Sequence, residues 1–372
     1  MFTTYVDWQL DRAQQRTSYS RTQILQQLHW LSRRMQDHNQ SIFRIEELQP
    51  TWLGEGGARL FAAAYSALCM LLGALLWVAT TPLTGNAPFW ERVILPLLVS
   101  GLHGVLMWWG FTNTRVPYDR WWIAVIFGLP ALLPTLIVSQ EVSGSVFNAV
   151  IFGLLYSVMA YVLRSLGYRP DTIHVVERLQ FSIQHVRWGG ALLGGLAIGG
   201  FAIFSLAPFV FPGRLPLAAA VGFMISSSAV GLTTGLTSAN INANMRVNQG
   251  IYNSARNALM VGLGNAIGVF MVFATVNLIL NESAALGVYL GLYSAVFFFV
   301  LIAFVVGFAP VIQHLVLRVL MHRQWNVPWN YAAFLEHAAR MALLKRVGGG
   351  YIFIHRYLLE YFAALRSEKE NP

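Results

Sequence analysis

The run Leu343-Leu344-Lys345-Arg346-Val347-Gly348-Gly349-Gly350-Tyr351-Ile352-Phe353-Ile354-His355 decides how the ends of the chain are read. Two apolar-rich segments, Leu343 to Val347 and Tyr351 to Ile354, flank three glycines, and glycine supplies the backbone freedom that a tight turn needs. The run therefore reads as a β-hairpin. Strict alternation along its second arm puts Tyr351, Phe353 and His355 on one face. Upstream, Tyr331, Leu335, Ala338 and Met341 recur at helical spacing, and downstream Arg356 to Leu365 resumes a helical pattern. Helix, hairpin, helix is the outline of a winged helix.

The N-terminal end has matching signals. Ile24, Leu28, Leu31 and Met35 mark one face of an amphipathic helix over 21–36, and Ser20 followed by Gln23 forms a capping box at its start. A short Ile42-Phe43-Arg44-Ile45 run follows. Then comes Gln49-Pro50-Thr51-Trp52-Leu53, where the proline ends regular structure and the tryptophan suits a membrane interface. The two ends, 1–59 and 322–372, hold 110 residues of which 24 are charged, the composition of a soluble domain. They are expected to pack into one unit interrupted by an insert, with 1–59 as its N-terminal part and 332–372 as its C-terminal, winged-helix-like part.

The middle reads differently. Over all 372 residues 56% are hydrophobic and only 11% charged, against about 25% charged in an ordinary soluble domain. Eight windows, 60–80, 93–111, 121–139, 144–163, 189–210, 215–236, 257–280 and 286–308, contain no Asp, Glu, Lys or Arg. Each is about 20 residues, the length of a helix that crosses a bilayer core. The windows total 170 residues, so every charge falls in the other 202.

The expected fold class is an all-α polytopic membrane protein of about eight transmembrane helices over 60–308, with a connector at 309–331 and a small α+β domain built from both termini. Eight spans put both termini on one side. That side holds 23 basic residues and the other holds Arg92 and Arg214, which places the termini in the cytoplasm by the positive-inside rule. Anionic lipid on that face, rather than nucleic acid, accounts for the basic excess. Asp7, Asp11 and Arg12 leave no signal-peptide run near Met1, so 60–80 is expected to act as the targeting signal. Cys69 is the only cysteine, which excludes an intramolecular disulfide and a cysteine-based metal site.

Catalytic motifs are absent from the sequence. A phosphate-binding G-x-x-x-x-G-K-[ST] loop is excluded because the only lysines, Lys345 and Lys369, do not follow glycine. There is no H-E-x-x-H, no G-x-S-x-G and no His/Cys metal cluster, so no enzyme activity, metal or cofactor is assigned to the chain itself. Small-residue spacings occur at Gly190, Gly194, Gly195 and Gly199, and again at Gly264 and Gly268, where close helix packing or homo-oligomerisation is the reading. His103 is the one ionisable side chain inside a window. It is read either as a neutral histidine bonded to a neighbouring helix or as part of a stand-alone transporter or channel for a neutral or lipid-like solute.

Particular strings resemble the C-terminal half of bacterial membrane-linked NACHT proteins, NTPases of the STAND class. They are Tyr5-Val6 through Leu10, Tyr19-Ser20, Trp30-Leu31-Ser32, Met35, and His38 through Leu53. Further on are Asn248-Gln249-Gly250-Ile251, Ser254 through Leu259, Val327-Pro328-Trp329-Asn330-Tyr331 and Val347 through Leu365. The last carries Phe353-Ile354-His355 and Glu360-Tyr361-Phe362-Ala363-Ala364, similar to the F-x-H…E-[YF]-[FL]-A-A signature that closes the NACHT-associated winged helix.

The resemblance implies that His355 senses nucleotide by donating to a phosphate of bound ADP; the alternative is that it caps the strand-to-helix junction. The NACHT ATPase core that the family carries upstream is missing from this sequence. The resemblance thus implies a split-gene product or truncated half. It would be a non-catalytic, membrane-anchoring and signal-transmitting module in the bacterial inner membrane, whose partners are the bilayer and a NACHT ATPase chain supplying ATP or ADP in trans.

Overall fold

The computed structural model describes residues 2–14, 19–80, 94, 105, 173, 179–181, 236–238, 247–279 and 284–365. Helix α1 (Phe2–Gln14) leads to α2 (Arg21–Asp37), which covers the amphipathic stretch read in the sequence. Both halves of its capping box form: Ser20 Oγ accepts from Gln23 N at 3.2 Å and Gln23 Oε1 accepts from Ser20 N at 2.9 Å. These bonds satisfy donors that a helix start otherwise leaves unpaired. Two 3-10 turns, Ile45–Glu47 and Pro50–Leu53, then lead into α3 (Gly54–Thr80).

Later elements are α4 (Gln249–Ile279), α5 (Ala284–Ala303), a π-turn at Phe304–Phe308, and α6 (Ala309–Trp325). Short strands β1 (Leu179–Phe181) and β2 (Leu236–Ser238) pair antiparallel, with Leu179 opposite Ser238. The chain closes with α7 (Tyr331–Arg340), β3 (Leu344–Val347), β4 (Gly350–Phe353) and α8 (Arg356–Ala364). The β3–β4 hairpin turns at Gly348, whose φ of +58° is the left-handed conformation that glycine adopts freely. Gly350 itself belongs to β4 rather than to the turn.

Both ends of the chain enter one apolar core. Leu28, Leu31 and Met35 of α2 share it with Trp52, Phe334 and Leu335 of α7, Phe353 of β4 and Phe362 of α8. Four polar links reinforce the union. Phe43 and Tyr351 exchange both backbone hydrogen bonds at 2.8 Å, adding an N-terminal residue to the free edge of β4. Gln27 Nε2 donates to the carbonyls of Trp325 (3.2 Å) and Asn326 (3.1 Å), satisfying acceptors that the end of α6 leaves open. His29 Nδ1 lies 2.8 Å from the Phe362 carbonyl, and Tyr5 Oη donates to Ala342 O at 2.9 Å. Aromatic rings fill the centre, with Phe43 edge-on to Tyr331 and tilted against Trp52.

The eight-span reading is corrected by the structure. Among the described residues, no helix is long and apolar enough to cross a membrane. Freedom from charge over about 20 residues does not by itself specify a spanning helix. In α3 the apolar run is preceded by Glu55 and Arg59, α4 carries Asn253, Arg256 and Asn257 in its early turns, and α6 is only 17 residues with Gln313, His314 and Arg318 in its middle. The windows 93–111, 121–139, 144–163, 189–210 and 215–236 lie outside the described residues apart from Ile94, Val105 and Leu236. With the polytopic fold class fall the multi-pass inner-membrane location and the membrane-anchoring role. Helices α4 and α5 instead pack on each other antiparallel, Gly262 meeting Phe299 and Ala303 while Gly291 meets Phe270.

The close pass at Gly350 gives a test. A Cβ there would stand 2.7 Å from Phe43 O and 2.7 Å from Ile42 Cγ2, so backbone must shift to admit it. Gly350→Ala is expected to cost about 1–3 kcal/mol by overpacking, read as a lower urea midpoint in far-UV circular dichroism.

Candidate functional site

The most polar part of the interior lies where three elements meet. Glu46 occupies the turn Ile45–Glu47, just beyond the Phe43 bridge, and is only 6% exposed. Its Oε2 accepts from the backbone N–H of Gly250 at 3.1 Å. Gly250 stands in the first turn of α4, where amide donors have no partner within the helix and the helix dipole favours negative charge. An acid from the N-terminal turn thus caps a helix that begins some 200 residues later.

A second hold comes from α6. Asn248, just before α4, has φ +65°, a left-handed conformation that asparagine tolerates better than most residues. Its Oδ1 accepts from Arg318 Nη2 at 2.6 Å. His314 lies one turn earlier on the same helix and, like Gln313, is 1% exposed. Among the described residues, neither ring nitrogen of His314, nor Gln313 Nε2, has a hydrogen-bond partner. One turn further along α4, Gly307 of the π-turn lies against the Ser254 backbone, a contact that a side chain at 307 would abolish. Single π-turns within helical stretches are frequent at functional sites. The start of α4 is therefore gripped by the Glu46 turn, by α6 and by the π-turn.

Burial sets the charge states of this joint. It raises the Glu46 carboxyl above the ordinary range, opposed by the Gly250 hydrogen bond. Burial also drives His314 down to about 3, helped by the nearby Arg318 charge and offset only slightly by the Glu46 backbone. His314 is neutral at neutral pH. Desolvation lowers the Arg318 pKa too. The joint holds an acid, a neutral imidazole and a guanidinium, an arrangement suited to holding elements in register and to receiving an anion. Among the described residues, no group of three His, Cys, Asp or Glu side chains is placed to hold a metal ion.

None of the residues singled out from sequence lies in this joint. His355 is exposed and is the N-cap of α8: its Nδ1 accepts from Tyr357 N at 3.4 Å and its ring stacks on Tyr357 with centroids 5.2 Å apart. The junction-cap geometry is thus present at this position. Gly264 and Gly268 lie in α4, where an added Cβ meets no described atom within 4 Å; tight approaches between helical elements include those at Gly262, Gly291 and Gly307. Gly190, Gly194, Gly195, Gly199 and His103 lie outside the described residues.

Sequence reading passed over His314 and Arg318 and took in Glu46 only within the string His38 through Leu53. The available signals were an acid set among the apolar residues Ile45 and Leu48, and two basic side chains four apart in the apolar stretch 309–325. Asn248 and Gly250 were noticed only as part of a familiar string. No family model, curated protein or solved structure matches this chain.

The two buried titratable groups act in opposite directions on stability. His314 binds its proton near 6.5 when unfolded and near 3 when folded, so the unfolded chain holds more protons between those values and stability falls as pH drops from 6.5. Glu46, with its folded pKa raised, favours the folded state on the acid side and loses that contribution as pH rises through its folded pKa. His314→Gln is expected to flatten the loss of stability between pH 6.5 and 4.5, measured as urea midpoints against pH; a slope equal to wild type would show that His314 does not set it.

Proposed function

We propose that the chain is a non-catalytic, signal-transmitting module of a NACHT-type switch whose ATPase core resides in a partner chain. The observation that carries the transmitting role is the capping of α4 by Glu46. A turn of the composite core, built from both chain ends, holds a first-turn amide of a 31-residue helix through one buried carboxyl group. Displacing that turn uncaps α4, and because Arg318 grips Asn248 the same movement is passed to α6. Two packed elements joined by a few polar contacts have discrete alternatives, which is how a small displacement becomes a switch.

The NACHT pairing is supported by the strings Phe353-Ile354-His355 and Glu360 through Ala364, which resemble the family signature. In this proposal His355, exposed at the start of α8, faces the partner's ADP and donates to a phosphate oxygen. Its capping role and the sensing role compete for the same ring, so nucleotide binding would loosen the α8 start.

The tagged full-length chain, captured from source cells in excess ATP or ADP, is expected to bring down a P-loop ATPase encoded next to it, with recovery depending on the nucleotide. His355→Ala should remove that dependence, and Glu46→Ala should keep the capture while abolishing the downstream response. Recovery of no P-loop ATPase in either nucleotide overturns the proposal.

A further inference from the structure

The surface beside Arg318 holds a feature that the joint does not use. Arg318, Ile45, Leu48, Met321, Val327 and Tyr331 line a small cleft, with Pro328 and Trp329 at its edge. Apart from Arg318 the lining residues are aliphatic or aromatic. Inside it there is room for about one water-sized group, the size of one carboxylate oxygen. Trp329 is 56% exposed, leaving much of its indole surface open to the solvent side.

The guanidinium is under-compensated. Arg318 gives one Nη2 hydrogen bond to Asn248, and among the described residues no carboxylate pairs with it. The acids of the adjoining turn are engaged elsewhere, Glu46 by Gly250 N and Glu47 by Arg44. A half-buried guanidinium with donors to spare is costly unless an acceptor meets it. Tyr331 adds its ring to the same lining, and its buried hydroxyl has no hydrogen-bond partner among the described residues.

We propose that this cleft is a binding site for a small organic carboxylate with a flat apolar body. The carboxylate pairs with the free side of the Arg318 fork, and the body rests on Trp329. Planar guanidinium and planar carboxylate match in geometry, each supplying two parallel positions for hydrogen bonds. Phosphate fits less well, because a dianion needs more donors than one arginine supplies, and the remaining lining is largely apolar. Since Arg318 also holds Asn248, an occupant would tighten the start of α4, which makes the site a lever on the same joint. The inference does not require the partner ATPase: it concerns this chain alone, and its failure leaves the capture experiment above unaffected.

The test is isothermal titration of sodium benzoate, sodium acetate and inorganic phosphate onto the purified full chain at constant ionic strength. Benzoate is expected to bind, acetate to bind at least tenfold more weakly, and phosphate to give no saturable heat over the same range. Arg318→Gln should weaken benzoate at least tenfold and Trp329→Ala several-fold, the latter with an unchanged melting temperature because the ring is exposed. Should Arg318→Gln fail to fold, Trp329→Ala and the ligand series decide. No benzoate binding to the folded wild type, phosphate tighter than benzoate, or equal affinity in wild type and Trp329→Ala would each overturn the site.

Discussion

The reciprocal backbone pair between Phe43 and Tyr351 is the contact on which the rest of the described structure depends. It joins residues more than 300 apart, so the chain must bring its ends together before either can complete its core. Ordering so long a connection costs entropy that only many simultaneous contacts offset. They are supplied by the aromatic cluster of Phe43, Trp52, Tyr331 and Phe334, by α2 packed on α8, and by Gln27 closing the end of α6. Gly350 is what lets the strand edge come close enough.

The same union explains where polar groups are buried. Once Phe43 is fixed on β4, the next three residues are carried to the start of α4, and Glu46 has no solvent to face. Its carboxylate finds the orphan amide of Gly250 instead. Arg318 is brought alongside for a similar reason, being one turn beyond His314 on the face of α6 that packs against this corner. Buried charge of this kind adds little net stability against an apolar alternative, yet removing one partner leaves the other uncompensated. Such a joint specifies a geometry and resists partial loosening, which is the property a transmitting element needs.

Local features were readable from the residues because they are set by nearest neighbours. Ser20 and Gln23 announced the capping box, the 24/28/31/35 spacing announced α2, and the glycines at 348–350 announced the hairpin. Composition alone misled over the described helices of the middle of the chain, since freedom from charge does not by itself specify a spanning helix. Among the described residues, helix-to-helix approaches at glycine include Gly262, Gly291 and Gly307, each selected by the element that packs on it and not by a sequence period.

By itself the sequence determined the short-range structure: which residues start helices, where the hairpin turns, and that no phosphate-binding loop is encoded. The union of the two ends was expected from their composition, but only the tertiary structure decided that Phe43 pairs with Tyr351, that Glu46 is a helix cap, and that Arg318 stands in a cleft with no acid paired to it among the described residues. The physical reason is range. Caps, turns and helical faces depend on side chains within a few positions, whereas desolvation and charge compensation depend on what the fold brings from hundreds of residues away.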